Sequence, residues 1–224
     1  MLWWPTLSSL GGLDITGPLA LAIAAWLAGA RNWRLALAWC LLFCAAMTVT
    51  AASQMAFIGW GVGVESLSFT GFSGHAMRAA AVIPVAAFLL MEEKQLRWQL
   101  IVVLAGVLVA IGVAIARVKV GAHSPSEAWT GCLLGLITAG LFIARVRVAR
   151  TDAPRPHVVL LAMLTAAILL PRPEAMNSYQ LLTAVTLALS GHDRVYVRDD
   201  WQPAPMPYTP PCAPERVRFS FVCT

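Results

Sequence analysis

From Leu35 to Ile58 the chain runs for 24 residues without one Asp, Glu, Lys or Arg. A helix apolar on every face has no side to present to water, whereas a bilayer core takes roughly 20 apolar residues. Comparable stretches are Pro18 to Ala30, His75 to Met91, Trp98 to Ala116 and Ala128 to Ala144. The first reaches spanning length only when Leu13 to Gly17 joins it. A sixth, Val158 to Leu170, is short and ends at "PRP". Charged residues make up 12% of the chain, against about a quarter in soluble domains. The expected fold class is an all-α integral membrane protein, a bundle of about six transmembrane helices.

Residues 1–170 read as this helical domain and residues 171–224 as a small polar C-terminal appendage. Past Pro171 the composition turns to prolines, mixed charges and short alternating runs, "RVYVRDD" and "RVRFSFV", which suggest a hairpin. The opening "MLWWPTLSSLGGLD" lacks the basic start and continuous apolar core of a cleavable leader; its two tryptophans suit a segment at the headgroups. Trp60, Trp98 and Trp129 near helix ends fit an aromatic belt.

Orientation follows from the basic connectors. Arg31 and Arg34 follow the first span, Lys94 and Arg97 the third, and Arg145, Arg147, Arg150 and Arg155 the fifth. Positive loops are cytoplasmic, and these three alternate correctly. The N-terminus, the loop before His75, the loop before Ala128 and the tail are therefore expected outside, on the periplasmic or extracellular face of a bacterial inner (cell) membrane. Cys40, Cys44 and Cys132 fall inside helices as small apolar residues. Cys212 and Cys223 sit in the outward tail, where an oxidising compartment permits a disulfide.

Two spans separate "FTGFSGHAMRAA" from "ARVKVGAHSPSEAWTG", so both polar segments lie on one face. His75, Arg117, His123 and Glu127 can then meet at one membrane surface. Each segment also opens a helix, whose free N–H groups and positive dipole end suit a phosphate. Ser73 supplies a hydroxyl and Gly74 a close approach to the backbone. Two histidines, an arginine and an anion cradle at a lipid surface point to phosphoester chemistry, and ionisable groups at this depth are functional candidates. His75, His123 and Glu127 also make a conceivable metal set, but the cradle suits an anion better; no metal or other cofactor is expected.

The same residues resemble two signature motifs of the type 2 phosphatidic acid phosphatase superfamily, which includes membrane lipid phosphate phosphatases. The second family motif, P-S-G-H, is similar to "FSGH", with Phe72 in the proline position. The third, S-R, five residues, H, three residues, D, is matched by Arg117 and His123, with Ala116 for the serine and Glu127 for the aspartate. The resemblance covers about Leu35 to Ala144. It implies His123 as the nucleophile that forms a phosphohistidine, Glu127 as the group orienting its ring, and His75 as general acid. It implies Arg117, Ser73 and Gly74 as phosphate ligands. The family's first motif, a lysine and an R-P upstream, has no match in "SQMAFIGWGVGVESLSFTG"; Gln54 stands near the lysine position and Glu65 is acidic. Arg78, one turn past His75, and Lys119 are the candidates for the missing charge. The implied activity is metal-independent hydrolysis of a lipid phosphomonoester or pyrophosphate, with the lipid and the bilayer as partners and no nucleic acid.

Competing readings attach to the same residues. "SPSE" is also a capping box with proline at the first helical position, and Ser73 an ordinary helix cap. Arg117 and Arg78 suit residues snorkelling at helix ends. His157 and His192 read as solvated. "GFSG" matches the G-x-S-G of rhomboid-like intramembrane proteases, with Ser73 as nucleophile and His123 as base, although the expected His/Asn pair on the second helix is missing. A phosphatase-like fold that binds without catalysis is the remaining class.

Overall fold

The computed structural model describes residues 3–91, 95–149, 178–199 and 201–208. Helices dominate: α1 (Trp3–Ser9), α2 (Leu13–Gly29), α3 (Trp33–Trp60), α4 (Gly74–Leu90), α5 (Leu96–Lys119), α6 (Pro125–Ala149) and α7 (Ser178–Ser190), with a 3₁₀ turn at Glu65–Leu67. Among the described residues there is no strand, and two isolated antiparallel bridges link Val64 to Phe69 and Tyr196 to Pro203. Four segments are long and apolar enough to cross a bilayer: Trp3–Gly29, Trp33–Trp60, Leu96–Lys119 and Pro125–Val148. The protein is an all-α membrane protein. Residues 158–170, His157 and the cysteines Cys212 and Cys223 lie outside the described residues.

The chain divides into two compact units, Met1–Thr50 with Phe72–Leu170 and Ala51–Gly71 with Pro171–Thr224. In the first, α4 is the central helix, with 13 of its 17 residues buried. It packs against α6, α5 and α2, while α1 lies on α5. The sequence of α4, "GHAMRAAAVIPVAAFLL", explains its position. A run of alanines lets neighbouring backbones come close, which is how helices associate where lipid removes the hydrophobic drive. Its neighbours answer with glycines. A Cβ on Gly131 of α6 would stand 2.6 Å from the carbonyl oxygen of Ser73, and one on Gly106 of α5 would stand 3.1 Å from Cα of Pro84.

Further along, larger side chains fill the space. Trp39 donates its indole N–H to the Ala20 carbonyl at 2.9 Å and meets Phe142 edge-on at 5.1 Å. Phe88, Ile23, Val82 and Val85 complete this core. Leu21, Leu37, Leu41, Leu104, Leu108 and Leu133 stand outward and exposed, the arrangement a lipid solvent favours.

In the second unit, His192 is exposed but not simply solvated: its ring nitrogen Nδ1 lies 2.7 Å from the Gly59 carbonyl, so it donates there. Trp201 donates to the Gly61 carbonyl at 3.1 Å and meets Phe57 edge-on at 4.9 Å. Arg198 donates to the Thr70 hydroxyl at 3.2 Å. The alternating run at "RVYV" does turn back on itself, Val197 donating to Gln202 and Ala204 to Val195. Helix α7 is an addition to the sequence reading. "SYQLLTAVTLALS" is too short to span and sits among prolines and charges, so span-length criteria pass over it.

Candidate active site

The site is built at the start of α4 and the turn from α5 to α6, within the first unit. Helix α5 ends in a Schellman turn: Gly121, at φ +72°, donates to Val118 at 3.0 Å and Ala122 to Arg117 at 3.1 Å. Such a turn needs a left-handed residue just past the helix, and glycine meets that need without strain. The chain then doubles over the last turn of α5, and the His123 N–H donates to the Arg117 carbonyl at 3.3 Å. Arg117 and His123 are thereby locked to one corner.

Helix α6 opens with a reciprocal cap. The Glu127 N–H donates to the Ser124 hydroxyl at 3.3 Å, and the Ser124 N–H donates to Glu127 Oε2 at 3.1 Å. That same oxygen lies 2.8 Å from Nδ1 of His123, and the Glu127 side chain is fully buried. The capping box and the histidine contact are thus simultaneous. A buried carboxylate only accepts, so it draws the ring proton to Nδ1 and leaves the Nε2 lone pair free.

Ser73 stands at the N-cap of α4, yet its hydroxyl makes no capping bond. It is fully buried, and Oγ has no hydrogen-bond partner among the described residues. Its backbone is occupied instead: the N–H donates to the Glu127 carbonyl at 3.1 Å and the carbonyl accepts from Met77 at 3.0 Å. Arg117 shows a similar gap, with Nη1 donating to the Ser8 hydroxyl at 3.0 Å while the buried Nε is unpartnered. Buried polar atoms without partners are few in folded chains and each calls for an explanation. His75 is partly buried and within electrostatic range of the Arg117 and Arg78 guanidiniums.

Of the two candidates for added positive charge, only one joins this cluster. Arg78 is buried and donates from Nε to the Gly11 carbonyl at 3.2 Å; it is not a snorkelling residue. The Lys119 side chain is exposed and makes no hydrogen bond or ion pair with the described residues. Sequence reading passed over Ser8 and Gly11. Nothing local marks them, because their role comes from α1 lying on α5 and from close packing: a Cβ on Gly11 would stand 2.5 Å from the His75 carbonyl oxygen.

Comparison with known proteins adds the family. A model of the PAP2 superfamily matches residues 54–151. A relative from Klebsiella pneumoniae, described as an uncharacterized 22.5 kDa protein in the cps region, is 32% identical over 203 residues, covering 88% of this chain and 96% of its own. The chain belongs to the PAP2 superfamily. Phosphatidylglycerophosphatase B of Bacillus subtilis is 36% identical over 77 residues, 33% of this chain and 37% of that protein. No solved structure shows significant similarity. No Lys or Arg occurs between Arg34 and Arg78, so the lysine and arginine expected upstream from the family resemblance have no counterpart in this chain.

Proposed function

We propose that the protein is a membrane-embedded phosphatase that hydrolyses a lipid phosphate through a phosphohistidine on His123, without a metal, at the outer face of the membrane. The observation that carries the reading is the buried Glu127 carboxylate 2.8 Å from His123 Nδ1. It orients the ring and stabilises the positive charge that develops as Nε2 attacks phosphorus. The unpartnered Ser73 hydroxyl and Arg117 Nε, with the free N–H groups at the start of α4, are groups of the kind that hold phosphoryl oxygens. His75 protonates the departing oxygen. Water then attacks the phosphohistidine and releases orthophosphate, with His75 now accepting the proton. Membership in the PAP2 superfamily supports the phosphatase class. The alternation of basic loops supports an outward site in a bacterial inner membrane.

The test is orthophosphate release by purified protein in detergent with a chelator present. Phosphatidic acid, phosphatidylglycerophosphate, a polyprenyl pyrophosphate and a lipid A phosphate are the substrates to compare. Hydrolysis of at least one, with an acid-labile phosphoprotein that His123→Ala abolishes, is the expected result. Release that persists in His123→Ala sinks the mechanism. Binding of the lipids with no release by the unmodified protein selects the catalytically silent reading.

A further inference from the structure

Arg78 is a buried guanidinium with a poor set of partners. Nε donates to the Gly11 carbonyl at 3.2 Å, and Nη2 lies 3.4 Å from Nδ1 of His75. Nη1 overhangs Gly74, where an added Cβ would stand 2.9 Å from it. Among the described residues the ion pairs are His123 with Glu127 and Arg194 with Asp193, so no carboxylate neutralises Arg78 at close range. The Asp14 carboxylate acts on it from beyond ion-pair distance. Buried charges are ordinarily paired, because desolvating a lone cation is costly. Arg117 is equally without a carboxylate, and its Nε has no partner. Arg117 and Arg78 therefore lie within electrostatic range of one another and of His75, near the orphan Ser73 hydroxyl at the start of α4, and neither has a carboxylate at ion-pair distance.

Both arginines are braced by one corner of the chain. Arg117 Nη1 donates to Ser8 at the end of α1, and Arg78 Nε donates to Gly11 just before α2. This leaves on Arg78 the two Nη groups beside Gly74 and His75. We propose that Arg78 is a second phosphate-binding guanidinium of this site, aimed by the α1–α2 corner and paired with Arg117 to hold a phosphate dianion. The assignment rests on the phosphatase reading above for the location of the phosphoryl group. It gives the overhang of Gly74 a function, since a side chain there would displace the guanidinium.

Binding without turnover tests this directly. In His123→Ala protein in detergent micelles, inorganic phosphate and dioctanoyl phosphatidic acid are titrated by calorimetry, with and without Arg78→Gln, Arg78→Lys or Ser8→Ala. Arg78→Gln should weaken both ligands about 10–100-fold, the loss of a charge-assisted bidentate contact. Arg78→Lys, which keeps charge but not the planar fork, should weaken both by about 3–10-fold. Ser8→Ala should cost about 2–10-fold through Arg117. The thermal midpoint of ligand-free Arg78→Gln should not fall below its parent, since an unpaired buried charge has been removed.

Unchanged phosphate affinity in Arg78→Gln overturns the proposal. So does weakening of the lipid alone, which would put Arg78 on the glycerol or acyl region. A lower midpoint with unaltered affinity identifies a structural role and overturns it too. Should Arg78→Gln fail to fold, unchanged affinity in Arg78→Lys decides against it and the predicted loss decides for it. The phosphatase reading fails separately, when the unmodified protein binds both ligands and hydrolyses none of its candidate substrates.

Discussion

The backbone N–H of Ser73 donates to the backbone carbonyl of Glu127 at 3.1 Å, joining the first residue of the serine-histidine motif to the carboxylate that holds His123. The bond is possible because Gly131, one turn further along α6, has no side chain; a Cβ there would stand 2.9 Å from the Ser73 nitrogen. The close approach of α4 and α6 thus sets the spacing of the two motifs.

Gly131→Val should therefore damage both stability and activity. Overpacking of this kind costs about 1–3 kcal/mol, and moving Ser73 away from Glu127 breaks the junction between the motifs. Gly140 in the same helix has nothing within 4 Å of an added Cβ. Gly140→Ala should instead gain roughly 0.5–1 kcal/mol from helix propensity with activity unchanged. Thermal unfolding in detergent and phosphate release distinguish the two. Equal behaviour of the variants would contradict the packing argument.

Glu127→Gln should keep the cap on α6 but lose the orienting carboxylate. An amide can offer its NH₂ to His123 as readily as its oxygen, so the ring is no longer held with Nε2 free. By analogy with carboxylate-to-amide changes beside a catalytic imidazole, kcat should fall on the order of 10²–10⁴-fold with little change in KM. A loss below about 3-fold would detach Glu127 from the chemistry and leave it a capping residue.

The two histidines should separate by leaving group. His123→Ala removes the covalent route for every substrate and should be inactive throughout. His75→Asn removes only the proton donor, whose value depends on the basicity of the departing oxygen. A lipid phosphomonoester leaves as a strongly basic alkoxide, and there His75→Asn should lose about 10²–10⁴-fold. p-Nitrophenyl phosphate leaves as a weakly basic phenolate and should retain much of its rate. Identical losses on both substrates would reverse the assigned roles.

Sidedness is open to labelling. Ala122 is exposed in the turn before His123, and in Ala122→Cys the new thiol should react with an impermeant reagent in intact cells. Reporter fusions at Arg150 and Pro203 should fall on opposite sides if residues 158–170 span. Protection of that thiol until the membrane is permeabilised would turn the protein over.

Local and periodic features were legible in the sequence. Helices at the five apolar stretches followed from their uninterrupted apolar character, because lipid leaves backbone groups no partner except the helix itself; four segments reach spanning length, while the expected span His75 to Met91 is the shorter helix Gly74–Leu90. The reciprocal cap and the His123–Glu127 contact followed from i, i+3 and i, i+4 spacing on one helix start. What required the tertiary structure was set by contacts between segments distant along the chain. The Ser73 hydroxyl is left without a capping bond, Arg78 turns inward instead of snorkelling, and the α1–α2 corner braces both arginines. No pattern in "LSSLGG" announces that last role. It exists because alanines and glycines let α4 sit within backbone reach of its neighbours, so that a carbonyl at Gly11 and a hydroxyl at Ser8 become the nearest acceptors for buried guanidiniums. Periodicity along a helix specifies which residues face inward; the identity of what they meet is decided by the packing.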